Sequence, residues 1–236
     1  MLLLFDVDGT LTPSRGRIDE DFRRWMLEDL TIPFMLVTGS DPIKTREQIG
    51  DELYDRTIVF NCTGNHVFNR GAEIHRSKWR IPSDLEQHLE RMLESSPYHT
   101  KTGKHIEHRV GLCNFSIVGR NATVEQRKDY FNWDRDVSNE RQSVAASIRS
   151  GWPDIEAAVA GETGIDIYAK GTGKDQILPA ICELDHDIRF FGDRMDENGN
   201  DYGLAKAITD GGHGISYHVS GWEQTWDIIK GLNDDN

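Results

Sequence analysis

The sequence predicts an α/β protein with a doubly wound parallel sheet, into which a smaller α+β module is inserted. Short apolar runs that end abruptly at polar residues alternate with helical patterns near both ends of the chain, and the middle interrupts this order. Apolar runs of about four to eight residues are typical of strands buried on both faces of a parallel sheet. Strands that alternate with helices indicate βαβ units.

The N-terminal part of the chain contains three predicted strands and two predicted helices. The opening apolar run ends at Phe5 and is followed directly by Asp6. Asp19 is a candidate N-cap for the first helix, and Pro42 suits the first turn of the second. In order, the predicted elements are strand 1–5, helix 18–30, strand 32–37, helix 42–53 and strand 57–60.

The middle of the chain has a different pattern and is predicted to form the inserted module. Its predicted elements are helix 84–94 with Ser83 as N-cap, strand 109–118, a largely helical segment 124–148, and strands 155–159 and 164–169. The earlier order then returns with helix 174–183, strand 188–191, helix 200–208, strand 214–219 and helix 222–232. The predicted domains are therefore a core of 1–81 and 169–236 and an inserted domain of 82–168.

Composition excludes several classes of function. The chain has 236 residues, with 27 Lys and Arg against 40 Asp and Glu, and a formal net charge of −13. Nucleic-acid binding needs clustered cationic surface, which this balance disfavours. The three cysteines have no CxxC spacing, which argues against a disulfide framework or a zinc site. With no apolar stretch of membrane-spanning length, we expect a cytoplasmic protein without nucleic-acid or membrane partners.

The stretch Asp6-Val7-Asp8-Gly9-Thr10-Leu11-Thr12 is the most informative part of the sequence. Two acidic residues that lie close together raise each other's pKa, so a cation is expected beside them. Mg²⁺ takes carboxylate oxygens together with substrate phosphate, and a carboxylate can also attack phosphorus. Gly9 allows the backbone to turn sharply. The alternative is a pair of aspartates in an ordinary turn at a strand end.

This stretch resembles the DxDGT[LV] signature of the haloacid dehalogenase-like (HAD-like) phosphotransferase superfamily. The resemblance implies a Rossmann-like core with an inserted type IIB cap. It implies that Asp6 is the nucleophile that forms an aspartyl-phosphate and that Asp8 is the general acid/base. It further implies that Mg²⁺ is held by Asp6, by the main-chain carbonyl of Asp8 and by a later acidic residue.

The remaining elements of such a site are predicted at later strand ends. Thr38 and Ser40 precede a predicted helix and are expected to bind the phosphoryl group. The string that contains them, Thr38-Gly39-Ser40-Asp41, is also typical of an ordinary N-cap. Lys174 is expected to offset the negative charge on Asp6 and the phosphate. A Walker loop is rejected, because Asp175 stands where Ser or Thr is required.

A second acidic motif follows another predicted strand. Asp193 ends the string Phe190-Phe191-Gly192-Asp193, and Asn198-Gly199-Asn200-Asp201 comes shortly after it. The spacing resembles the superfamily's acidic motif, which implies that Asp193 is a metal ligand. Asn200 and Asp201 are expected to support the metal through second-sphere or water-mediated contacts. The alternative is a turn rich in Asp and Asn.

The inserted module carries a further resemblance. Residues 107–120, with the sequence EHRVGLCNFSIVGR, resemble the segment E-F-R-N-G-M-x-N-x-S-P-x-G-R of the eukaryotic-type phosphomannomutases, and Arg127 matches a following arginine. The resemblance implies that Arg109, Arg120 and Arg127 bind the distal phosphate. It implies that Asn114, Gly164 and Asp166 contact the sugar, and that Arg15 lies at the junction of core and cap. Without the resemblance, three such arginines would be read as ordinary surface residues.

Some positions depart from the family pattern. Asn61-Cys62-Thr63-Gly64 replaces P-E-N-G, Gly171-Thr172-Gly173-Lys174 replaces G-W-D-K, and Gly164 stands where the family has Ser. The predicted function is a mutase that interconverts hexose (mannose) 6-phosphate and 1-phosphate, with Mg²⁺ and a hexose 1,6-bisphosphate activator. The family also implies a homodimer through the cap. A sugar-phosphate phosphatase is the alternative, followed by a non-catalytic sugar-phosphate binding module.

Overall fold

A computed structural model describes residues 1–184, 187–197 and 199–234. The chain divides into two compact units. The first unit comprises Met1–Ser77 and the part of the chain from Thr172 onward, and the second comprises Lys78–Gly171.

The described residues form strands and helices along the whole length of the chain. In chain order they are β1 (Leu2–Phe5), α1 (Glu20–Glu28), β2 (Phe34–Val37), α2 (Pro42–Ile49), α3 (Asp51–Tyr54), β3 (Ile58–Asn61), β4 (His66–Asn69), β5 (Ala72–Arg76), α4 (Ser83–Ser95), β6 (Ile106–Arg109), β7 (Leu112–Phe115), α5 (Val124–Trp133), α6 (Glu140–Gly151), β8 (Ile155–Ala160), β9 (Gly164–Ala169), α7 (Leu178–Cys182), β10 (Ile188–Gly192), α8 (Tyr202–Asp210), β11 (Gly214–His218) and α9 (Trp222–Asp234). Within these described ranges, the helices are too short and too polar to cross a membrane.

The first unit is built on a seven-stranded sheet in the order β11-β10-β1-β2-β3-β4-β5. The strands from β11 to β3 are parallel, as predicted, but β4 and β5 add an antiparallel edge. The predicted parallel sheet is therefore confirmed, and the antiparallel strands β4 and β5 at its edge were not predicted. Strand β5 is exposed along its whole length, so its sequence lacks the apolar run that marks a buried strand.

Strand β1 is buried on both faces because the sheet has helices on each side. Leu3 and Phe5 pack in one apolar cluster with Phe22 of α1, whereas Leu4 packs in the opposite cluster with Leu204 of α8. Burial of each such side chain contributes about 1.5–3 kcal/mol. This two-sided burial explains the unbroken apolar run at the start of the sequence.

The second unit is an α+β module with a four-stranded antiparallel sheet in the order β6-β7-β9-β8. One face of the sheet, with Phe115 and Ile167, packs with apolar residues of three helices, among them Leu89 of α4, Tyr130 of α5 and Ile148 of α6. Because successive side chains of a strand point to opposite faces, the alternating residues of β7 and β9 lie on the other face.

Several predicted elements differ from those observed. The predicted strand 109–118 is instead the hairpin β6–β7, which turns at Gly111 with a φ of 66°. Ser83 begins α4 but does not cap it, because Pro82 occupies the N-cap position. The predicted helix 42–53 is interrupted at Gly50, whose φ is 82°. The helical segment 124–148 contains a π-helical turn, and the predicted helix 174–183 begins as a 3₁₀ turn.

Candidate active site

Lys174 joins two buried carboxylates where the parallel strands of the first unit end. Its Nζ donates to Asp6 Oδ1 at 2.5 Å and to Asp201 Oδ1 at 2.6 Å. Asp6 follows β1, whereas Asp201 directly precedes α8. Each of the three side chains is at most 5% exposed. The structure therefore brings the sequence-predicted residues Asp6, Lys174 and Asp201 into direct contact.

Asp6, Asp193 and Asp201 form a cluster of carboxylates. One oxygen from each lies within 4.8 Å of the others. Burial raises the pKa of Asp193 to about 7, and the negative charge of Asp201 adds to the effect. Burial alone would lower the pKa of Lys174, but the charges of Asp201 and Asp6 outweigh it and raise that pKa, so the ammonium stays protonated. Two of the three carboxylates contact the one ammonium, and the oxygens of all three fit a hard divalent cation.

Asp201 uses both carboxylate oxygens in contacts with the protein, and its second-sphere role stays a prediction. Its Oδ1 pairs with Lys174, while its Oδ2 accepts from the main-chain N–H of Arg194 at 3.1 Å, which ties the start of α8 to the loop after β10. Asn200 lies in the turn before Asp201 and is half-buried, and its role stays a prediction. Asn198, also part of the predicted motif, lies outside the described residues.

Gly9 allows the backbone after β1 to approach Asp193 closely. Its φ is 81°, in the left-handed region that favours glycine. A Cβ atom added to Gly9 would collide with Asp193 Oδ2. The close neighbour of Gly9 is therefore the side chain of a candidate metal ligand.

Asp8 is surrounded by hydrogen-bond donors from the first unit. Its Oδ1 accepts from the main-chain N–H of Arg15 at 2.7 Å and from Gln48 Nε2 at 2.9 Å. Its Oδ2 accepts from Ser40 Oγ at 3.2 Å and lies 3.8 Å from Lys44 Nζ. Arg15 meets Asp8 through its backbone with a φ of 58°, and the role of its side chain stays a prediction.

Sequence analysis did not identify Lys44 and Gln48. Both lie on α2, four residues apart, so they share one face of that helix. The spacing could have been noticed, but it did not indicate that this face contacts Asp8. Gln48 is 3% exposed, and its Oε1 is a buried oxygen without a hydrogen-bond partner among the described residues.

Thr38 and Ser40 follow β2 and are both buried. Thr38 Oγ1 accepts from the main-chain N–H of Ser40 at 3.1 Å, whereas Asp41 is the residue that caps α2. The string Thr38-Gly39-Ser40-Asp41 thus does contain an ordinary N-cap, which is Asp41, whereas Thr38 and Ser40 do not have that role. Because Ser40 donates to Asp8, the two residues lie beside the predicted acid/base, and phosphoryl binding by them stays a prediction.

Two departures from the family pattern contact each other. Thr63 Oγ1 donates to the main-chain carbonyl of Thr172 at 3.0 Å, and Gln176 Nε2 donates to the same carbonyl at 2.9 Å and to that of Thr63 at 2.8 Å. Cys62 and Thr63 have positive φ angles of 50° and 60°. These bonds fix the loop that begins two residues before Lys174, so the substituted residues together position the lysine.

The second unit places several predicted residues on the sheet face opposite its apolar core. Glu107, Asn114 and Asp166 are aligned across β6, β7 and β9 by the strand register. Asn114 Nδ2 donates to Asp166 Oδ1 at 2.6 Å, while Asn114 Oδ1 is buried without a hydrogen-bond partner among the described residues. A Cβ at Gly164 would lie 2.7 Å from Asn114 Nδ2, so glycine makes room for this amide.

Two of the three predicted arginines share one carboxylate. Arg109 Nε donates to Glu107 Oε1 at 2.6 Å, and Arg120 Nε donates to Glu107 Oε2. Burial opposes ionisation of Glu107, but the charges of Arg109 and Arg120 outweigh it and lower the pKa to about 2. Arg127 lies on α5, where its Nη2 is 3.6 Å from Glu162 Oε2.

Comparison with known proteins identifies the family. A sequence model described as eukaryotic phosphomannomutase matches residues 24–234. The chain belongs to this family. It is 28% identical to the phosphomannomutase of Spinacia oleracea over 97% of this chain and 96% of that protein. It is 30% identical to the phosphomannomutase of Arabidopsis thaliana over 92% of this chain and 91% of that protein.

The fold also resembles a solved structure of a phosphatase. The C-terminal domain of trehalose-6-phosphate phosphatase from C. albicans superposes with a TM-score of 0.69 at 13% identity, covering 99% of this chain and 91% of that one. At this identity the likeness shows the fold alone. It confirms the predicted α/β fold.

Proposed function

We propose that this chain interconverts hexose 6-phosphate and hexose 1-phosphate, with mannose as the hexose. Family membership supports the activity. The observation that carries the proposal is the buried contact of Lys174 with Asp6 beside Asp193 and Asp201. A carboxylate that carries a phosphoryl group needs a neighbouring cation that offsets the added negative charge, and Lys174 is such a cation.

Asp6 acts as the nucleophile in this proposal. Its carboxylate oxygen attacks the phosphorus of a bound phosphate ester, and the bond between phosphorus and the sugar oxygen breaks. Asp8 donates a proton to that leaving oxygen, so the products are an aspartyl-phosphate and a sugar with a free hydroxyl group at that position. In the reverse direction, Asp8 takes the proton from a sugar hydroxyl whose oxygen attacks the phosphorus of the aspartyl-phosphate. The phosphoryl group then returns to the sugar.

The carboxylate cluster would hold Mg²⁺. Asp6, Asp193 and Asp201 supply the hard oxygen donors that this ion prefers, and the main-chain carbonyl of Asp8 is a further predicted ligand. When bound, Mg²⁺ supplies positive charge that stabilises the phosphoryl group during transfer. Lys174 supplies the protein's own positive charge at the same carboxylates. Thr38 and Ser40 are proposed to bind the phosphoryl oxygens.

The second unit is proposed to act as the cap that selects the substrate. Arg109, Arg120 and Arg127 would bind the phosphate that is not transferred, because arginine donates bidentately to phosphate oxygens. Asn114 and Asp166 would bind sugar hydroxyls. A hexose 1,6-bisphosphate would phosphorylate Asp6 to start the cycle, and water must be excluded because it hydrolyses an aspartyl-phosphate. A cytoplasmic homodimer, formed through the cap, is the proposed state.

Phosphorus NMR tests the activity directly. Mannose 6-phosphate is mixed with the protein, Mg²⁺ and a trace of glucose 1,6-bisphosphate. We expect mannose 1-phosphate to accumulate, and we expect Asp6→Asn to abolish its formation. Inorganic phosphate as the sole product would instead indicate a sugar-phosphate phosphatase. No turnover by the wild-type protein would indicate a binding module.

A second experiment tests the proposed role of the cap arginines. Arg120→Ala should reduce the turnover of mannose 6-phosphate far more than that of acetyl phosphate, because a small acyl phosphate has no distal phosphate to bind. Arg80→Ala, at an exposed position of the same unit, is the control and should not change either rate. Equal losses on both substrates with Arg120→Ala would contradict the assignment.

A further inference from the structure

Glu107 lies between two arginines of the second unit and accepts one hydrogen bond from each. Its Oε1 accepts from Arg109 Nε at 2.6 Å, and its Oε2 accepts from Arg120 Nε. The side chains of Arg109 and Arg120 are only 7% and 17% exposed, and that of Glu107 is 22% exposed. Both guanidinium groups are therefore held close to one half-buried carboxylate.

The negative charge of Glu107 allows the two arginines to lie close together. Two guanidinium groups repel each other, and partial burial weakens the screening that water would provide. A carboxylate that bridges them offsets this repulsion. Glu107 stays ionised over any ordinary assay range, because its pKa is lowered to about 2.

Each of the two arginines contacts Glu107 through its Nε. A guanidinium carries five N–H donors, so anchoring through Nε does not prevent its Nη atoms from binding an anion. The strand register places Glu107 opposite Asn114, which in turn donates to Asp166. The anchor for the two arginines is thus next to the pair proposed to bind the sugar.

We propose that Glu107 is a positioning residue that makes Arg109 and Arg120 into one binding site for a dianionic phosphate ester. This inference rests on the proposed function for its substrate, the phosphate that is not being transferred. Glu107 cancels one of the two positive charges, so the pair keeps a net charge of about +1.

The variant Glu107→Gln distinguishes the positioning of the two arginines by Glu107 from the effect of its negative charge alone. Its amide oxygen can accept from one arginine, but its NH₂ group presents donors to the other. Because the arginines lose their anchor, we expect KM for mannose 6-phosphate to rise at least tenfold while kcat falls less than threefold. Turnover of acetyl phosphate should fall far less than that of mannose 6-phosphate. In an Arg120→Ala background, Glu107→Gln should add less than a twofold further rise in KM. Glu107→Asp should give an intermediate KM.

Glu86→Gln is the matched control. Glu86 Oε1 lies 2.9 Å from His108 Nε2, and His108 precedes Arg109 on the same strand but points to the other face. We expect this variant to keep the wild-type KM. An unchanged or lower KM in Glu107→Gln, or a full tenfold effect in the Arg120→Ala background, would overturn the proposal.

A binding measurement separates this inference from the proposed function. Inorganic sulfate is titrated into the protein while the arginine Nε–H resonances are followed by ¹⁵N NMR. We expect sulfate to shift the signals of Arg109 and Arg120, and Glu107→Gln to weaken its binding at least fivefold. That result supports the positioning role even if the wild-type protein shows no mutase turnover. Equal sulfate affinity in wild type and Glu107→Gln would refute the role even if the mutase is active.

Discussion

Replacing Lys174 by methionine should destabilise the first unit strongly in the absence of divalent cations. The ammonium of Lys174 contacts two carboxylates, at 2.5 and 2.6 Å, and all three side chains are buried. Removing one partner of a buried ion pair typically costs about 3–5 kcal/mol, because a buried charge is left uncompensated. Methionine keeps much of the length of lysine but none of its charge. With two carboxylates losing their shared cation, we expect a loss in the upper part of this range.

Urea unfolding in the presence of EDTA, followed by tryptophan fluorescence and circular dichroism, measures this loss. Lys206→Met is the control, because Lys206 pairs with Asp210 at the surface and is 56% exposed. Exposed pairs of this kind contribute little to stability, because water and salt screen them. A loss for Lys174→Met that is no larger than that of the control would refute the structural reasoning.

Mg²⁺ extends the same experiment to the proposed metal site. A ligand that binds only the native state stabilises it by about 2.7 kcal/mol at a hundred times its Kd. Lys174→Met leaves Asp6, Asp193 and Asp201 without their ammonium, so Mg²⁺ should stabilise this variant at least as much as the wild type. If Mg²⁺ stabilises neither protein, the carboxylate cluster is not a metal site.

Three further predictions follow from individual contacts. Gly9→Ala should lower the melting temperature and turnover, because a left-handed φ costs about 1–2 kcal/mol and the new Cβ would collide with Asp193. Gln176→Leu should lower kcat about tenfold in steady-state assays with little change in KM, because Lys174 loses the support of its loop. Glu107 should lose its stabilising contribution, at most about 3 kcal/mol, as the pH falls from about 4.5, its pKa in the unfolded chain, towards about 2, its pKa in the folded protein. Unfolding measured from pH 5 to 2.5 tests this. The sign follows because the folded protein binds this proton less readily than the unfolded chain.

Each of these predictions has its own contrary outcome. Gly231→Ala is the control for Gly9→Ala, because a Cβ at Gly231 meets no atom within 4 Å, and similar losses in both would contradict the collision. An unchanged kcat in Gln176→Leu would show that the loop needs no such support. For Glu107, the same acid dependence in wild type and Glu107→Gln would exclude this carboxylate as its source.

Local patterns were sufficient for much of the core. A four-residue strand that is buried on both faces leaves an unbroken apolar run in the sequence, so β1 was predicted nearly to the residue, and Asp6 with it. The edge strand β5 has no such pattern because it is exposed throughout, and it was missed. The hairpin of β6 and β7 was read as one strand because Gly111 alone marks its turn.

The sequence by itself determined which acidic groups come at the ends of the parallel strands and therefore at one edge of the sheet. Only the tertiary structure decided that Lys174, 168 positions after Asp6, lies between that residue and Asp201. It also decided that Gln48 reaches Asp8 and that Glu107 bridges two arginines. The physical reason is that strand ends follow from local burial, whereas contacts between distant side chains depend on how strands and helices pack together.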